Sequence, residues 1–168
     1  MAPGMLPFVH PTELAFRRLL NVVGRGTRLA VMREGARPDD LDRLERHTGL
    51  SLPEEVRRVW AVSDGTSGDG LFGGGLASVA EIRALWDFHR ATHADFRGRV
   101  LLPIAHGDGV HALLVLDPRS RLEHAVVTWD VRASSLSNLE LWAPSLCALF
   151  LERADEIRRA LGVARRSA

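Results

Sequence analysis

Between Pro38 and Gly65 the sequence specifies two short helices and the tight elbow that joins them, and no other stretch constrains the fold as strongly. Pro38 has no amide proton to lose at a first helical turn, and Asp39 and Asp40 place carboxylates where the helix dipole favours them. Leu41 and Leu44 give this helix its apolar stripe, and Gly49 stands where a left-handed residue ends it. Leu50 and Leu52 anchor the elbow. Pro53, Glu54 and Glu55 repeat the start signals, Val56, Val59, Trp60 and Val62 form the inward face, and Asp64-Gly65 closes the second helix.

The rest of the chain is organised around that unit. Thr12–Val23 places Leu14, Phe16, Leu19, Leu20 and Val23 near helical spacing, and Leu29–Met32 reads as a short further turn. Thr66–Gly75 is Gly-rich, with Asp69 and a short strand around Leu71-Phe72. It lacks the Gly-Lys-Ser/Thr ending of a phosphate loop, so a hairpin connection is the better reading. Ser78 and Glu81 make a capping box for a helix carrying Ile82, Leu85, Trp86 and Phe88. Arg99–Ala105, Ala112–Leu116 and Ala125–Trp129 qualify as strands with short connections, hence an antiparallel meander. Asn138–Trp142 is ambiguous. Pro144 opens a final helix that Gly162 ends, leaving a frayed tail. Helices, then hairpin-linked strands, then a closing helix predict a single α+β domain with its core over about residues 12–162. The sheet is expected to be mixed or mostly antiparallel and flanked by helices.

Composition excludes several function classes. The net charge is +1 over 168 residues, so overall electrostatics favours neither nucleic acid nor a membrane surface. The basic doublets Arg17-Arg18, Arg57-Arg58, Arg158-Arg159 and Arg165-Arg166 are dispersed and balanced by 21 acids, as on solvated helix faces. No apolar run is long enough to span a bilayer, and Met1–Pro11 has no basic, apolar leader pattern. The one cysteine, Cys147, excludes an internal disulfide and reads as a small buried hydrophobe. A cytoplasmic protein is expected.

Two histidine groups invite chemistry. His89 and His93 stand four apart on a predicted helix, so both imidazoles can face one metal ion. The stretch lacks the glutamate that a metalloprotease helix carries beside its first histidine, and nothing specifies a third ligand. His106, Asp108 and His111 cluster in the strand-joining loop, where a histidine beside an aspartate resembles an oriented base. No serine or cysteine is placed as its nucleophile, and the flanking glycines favour a turn in which Asp108 bonds the loop backbone. No catalytic residue, metal or cofactor is assigned. Trp60, Trp86, Trp129 and Trp142 fall at inward-looking positions, and any one exposed beside a groove would be a protein-binding anchor.

Taken in order, these pieces resemble the SUKH superfamily, which includes regulators of yeast cell-wall assembly and many bacterial immunity proteins. The resemblance runs through Leu52-Pro53-Glu54-Glu55, Trp60 and the Asp64-Gly65 turn, where the family usually shows Asn-Gly. It continues through Leu102-Pro103-Ile104-Ala105, the Gly/Asp loop and Leu116-Asp117, then Val126–Asp130 and the helix after Pro144, covering roughly Pro38–Leu161. It implies an α+β domain that binds a protein partner, foremost a toxin that it neutralises. A regulatory or scaffold domain with another protein partner is the second reading, and a small metal protein or enzyme the third. The partner surface is expected on the Asp64–Gly75 and His106–His111 loops, with Trp60, Asp64, Asp69, Asp108 and His111 as its residues, and Trp129 if exposed.

Overall fold

A computed structural model of the chain describes residues 9–24, 31–67, 74–107, 109–133 and 135–166. The helix–elbow–helix unit forms as the sequence predicts, with α2 at Pro38–Thr48 and α3 at Glu54–Val62. Gly49 adopts φ 72°, and its N–H bonds the Glu45 carbonyl at the end of α2. The Glu45 side chain also closes the elbow. One carboxylate oxygen accepts the Leu52 N–H at 2.6 Å while the other accepts from Arg57, which also donates to Asp42.

Around this unit stand α1 (Pro11–Gly24), α4 (Val79–Thr92), α5 (Leu146–Arg166) and a four-stranded sheet. The sheet runs β3 (Leu101–Gly107), β4 (Val110–Val115), β5 (Val126–Asp130), β6 (Glu140–Ala143), every pair antiparallel. Side-chain alternation splits the core in two. Leu102, Ile104, Ala112, Leu114 and Val126 join α1, α2, α3 and α5 in the larger cluster, with Phe16 of α1 against Phe150 of α5 at a ring distance of 4.9 Å. Leu101, Leu113, Val115, Val127 and Trp129 form the other cluster, covered by Trp86 of α4 and by Phe96 of a 3₁₀ turn at Ala94–Gly98. The helix α4 therefore serves both layers, with Ile82 in the first and Trp86 in the second.

Several local expectations change. Val31-Met32 is not a helical turn but a strand, β1, paired with β2 at Thr66-Ser67. The strand expected at Leu71-Phe72 lies outside the described residues. The helix α3 ends at Val62 with Ser63 extended behind it, because Ser63 Oγ bonds the Arg33 and Gly65 carbonyls and draws the chain into β2. Asn138–Trp142 resolves into a 3₁₀ turn followed by β6. The helix α5 starts behind Ser145, whose Oγ accepts the Ala148 N–H, and continues through Gly162 to Arg166. A glycine weakens a helix interior without forcing its end. Phe88 faces outward with 51% of its surface exposed, since the inward stripe of α4 passes through Ile82, Trp86 and His89.

Phe16 and Phe88 therefore respond differently to truncation. Phe16→Ala, at a fully buried ring, is expected to cost about 3–5 kcal/mol in urea unfolding, and Phe88→Ala no more than about 0.5 kcal/mol.

Candidate functional site

Trp60 connects the helical unit to the sheet. The indole is fully buried, so its N–H needs an internal acceptor, and it donates to the Ala77 carbonyl at 2.8 Å. Ala77 in turn donates its N–H to the Ile104 carbonyl of β3, and Leu76 bridges Ala105. The same segment bonds β2: Thr66 N–H donates to the Leu76 carbonyl, and Leu76 N–H donates to Thr66 Oγ1. Asp64 holds the far end, its Oδ1 accepting the Val79 N–H at the first turn of α4 at 2.7 Å. A capping box of Ser78 and Glu81 completes the start of α4. Burial pushes the Glu81 carboxyl up, but hydrogen bonds from Arg33 and Ser78 outweigh that and hold it at about 2.

The geometry of Gly74–Ala77 brings the two candidate loops together. A Cβ on Gly74 would stand 1.9 Å from the His106 carbonyl, so the backbone of the first loop lies directly on the β3–β4 hairpin. A cleft between α2 and α4 is lined by Asp40, Arg43, Asp64, Val79 and Arg83.

A histidine cluster stands at the same end of the sheet. His106 and His111 are cross-strand partners with rings 5.9 Å apart, and His111 Nδ1 lies 2.9 Å from Nε2 of His89 on α4. His93 stacks near His89 and sits edge-on to Trp129 at 4.6 Å. His89 is fully buried, and its Nδ1 has no hydrogen-bond partner. Burial, reinforced by the charge that neighbouring imidazoles would carry, lowers His89 from 6.5 to about 3 and His111 to about 4. Both are neutral at pH 7. Among the described residues no group of three or more His, Cys, Asp or Glu side chains is arranged to hold a metal ion.

Of the residues expected from the sequence, Asp64 and His111 are partly exposed on the two adjoining elements, while Trp60 is wholly interior. Trp129 is also buried, so neither indole offers a surface anchor. Asp69 and Asp108 lie outside the described residues. The sequence reading missed the pairing of His89 with His111, because it set them in separate groups. The usable signal was spacing: His89 follows Ile82 and Trp86 on the apolar stripe of α4, which marks it as buried. Cys147 is partly buried against the larger cluster, and burial together with the Glu55 charge raises its thiol. That leaves it protonated and a poor nucleophile.

With this geometry in place, the chain belongs to the SMI1 / KNR4 family (SUKH-1), whose family model matches residues 35–152. The match starts just before α2 and ends within α5, so it takes in the helical unit, the Gly74–Ala77 segment and the whole four-stranded sheet. No curated protein matches the chain. No described helix is long and apolar enough to cross a membrane.

The Gly74–His106 contact gives a direct check. Gly74→Ala forces a backbone shift and is expected to cost about 1–3 kcal/mol in thermal or urea unfolding. Gly98→Ala, where an added Cβ meets nothing within 4 Å, is expected to change stability by no more than about 0.5 kcal/mol.

Proposed function

We propose that this chain is a non-enzymatic protein-binding domain that captures and neutralises a bacterial toxin in the cytoplasm. Membership of the SMI1 / KNR4 family (SUKH-1) supports a protein partner. The observation that carries the reading is the junction of the two loops: Gly74 against the His106 carbonyl makes one continuous face from elements far apart in sequence. His111 pairs with His106 across the hairpin at this junction, Asp64 caps α4 where the same segment ends, and Asp69 and Asp108 are assigned to the face from the sequence alone. Backbone hydrogen bonds assemble the face and fix its shape, which suits recognition of a rigid partner surface. Trp60 contributes by holding the face in place from behind.

The chemistry of the site favours binding over catalysis. His111 and His89 are held neutral by burial, with values of about 4 and 3, so neither is tuned as a proton shuttle near pH 7. A family regulator of a non-toxin protein would use the same face, and the partner separates the two readings.

Co-expression tests this directly. A cognate toxin is expected to stop killing when the chain is produced with it. Asp64→Arg, which reverses a partly exposed charge on the proposed face, is expected to weaken that protection at least tenfold while circular dichroism shows the variant still folded. Unchanged killing in the presence of the folded wild-type chain rejects immunity against that toxin, and capture of a non-toxin protein by the same face then supports the regulatory reading.

A further inference from the structure

We propose that the four-histidine cluster is an acid-sensitive latch that holds the C-terminal half of α4 and the following 3₁₀ turn against the β3–β4 hairpin, and that releases them when the cluster takes up protons. The proposal goes beyond toxin binding and stands whatever the partner is.

Only one proton fits between His89 Nε2 and His111 Nδ1 across 2.9 Å. Placed on His89 Nε2, it leaves His89 Nδ1 as a bare lone pair, a cheaper group to bury than an unpaired N–H. Any further proton on the pair breaks that arrangement. A proton added to His89 puts an N–H on Nδ1, which is buried and has no acceptor. A His111 cation donating through Nδ1 forces His89 into the tautomer with the same orphaned N–H. Otherwise two N–H groups face each other. The closed His89–His111 pair, neutral with one proton on each ring, therefore admits a third only with a buried, unpaired donor or with two N–H groups opposed.

No counter-charge relieves this among the described residues. On α4, Asp87 is engaged by His47 at 2.7 Å, and Arg90 lies over the Trp86 ring. In the 3₁₀ turn, Asp95 accepts from Ser135 and Arg97 donates to the Arg90 carbonyl. At the end of β5, Asp130 is held by Arg132. None of these carboxylates is hydrogen-bonded to an imidazole of the cluster. The rings instead pack against the fully buried Trp129 and Phe96, which leave a cation little hydration.

The linkage has a definite sign. Opened imidazoles take up protons near the ordinary 6.5, whereas closed His111 and His89 hold out until about 4 and about 3. The open form therefore binds more protons throughout that window. Closing is favoured above pH 6.5, and the open form gains up to tenfold per pH unit for each proton as the pH falls from there.

Amide hydrogen exchange on the full chain, corrected for the intrinsic pH dependence of exchange, tests the latch. Between pH 7.5 and 5.0, protection over residues 85–98 is expected to fall at least tenfold while protection in α1 stays constant. The double variant His89→Gln/His111→Gln, which has neither titrating ring of the pair, is expected to remove that local loss. Constant protection over 85–98 overturns the proposal. So does an equal fall in α1 and α5, or a local loss that persists in full in the double variant. Should the double variant fail to fold, imidazole titration of the wild type by NMR decides. A His89 ring that stays neutral until residues 85–98 lose protection supports the latch. A His89 ring that titrates near 6.5 with α4 undisturbed contradicts it.

Discussion

The hydrogen bond from the buried Trp60 indole to the Ala77 carbonyl organises everything else in this molecule. An indole N–H in a dry core must find an acceptor, and here the acceptor is a backbone carbonyl of the segment that leads into α4. The N–H of that same residue is bonded to Ile104 on the edge strand β3. One residue thus couples the helical unit to the sheet, and its neighbours Gly74 and Leu76 carry the coupling to the hairpin and to β2. Strands β1 and β2 alone make a two-residue ladder, too short to stand unaided, and they persist because this segment and Ser63 tie them down.

The fold was legible wherever one residue type had a local job. Pro38, Gly49, Pro53 and the Ser78–Glu81 box marked helix ends through capping chemistry that depends on the nearest few residues, and each end forms close to where it was expected. Short apolar, β-branched runs with short connections placed β3, β4 and β5. What could not be read was set by distant partners. Val31-Met32 is a strand only because Thr66-Ser67 lies beside it, and α3 stops at Val62 because Ser63 bonds the Arg33 carbonyl. Gly162 shows the converse, since a helix supported by packing along α1 runs through a residue that local propensity would use as a stop.

The candidate site was less legible for the same reason. Asp64 stood out in sequence as the end of a helix, yet its carboxylate caps the next one, α4, fifteen residues downstream. His89 and His111 were visible singly, but their 2.9 Å approach depends on the helix packing across the hairpin. A buried imidazole with one unpartnered nitrogen is an uncommon arrangement in a core. Its persistence fits a structure in which the aromatic shell around it, rather than polar satisfaction, holds that end of the sheet together.

The central claim of this account is that two sequence-distant loops, joined at Gly74 and His106, form a single docking face on a scaffold braced by Trp60. The most direct measurement is amide-exchange footprinting of the chain in complex with the protein partner it captures. Protection gained together over residues 64–67, 74–79 and 104–111, with α1 and α5 unchanged, is the result the account predicts. Protection confined to the α1–α5 face, with both loops exchanging as in the free chain, would contradict it.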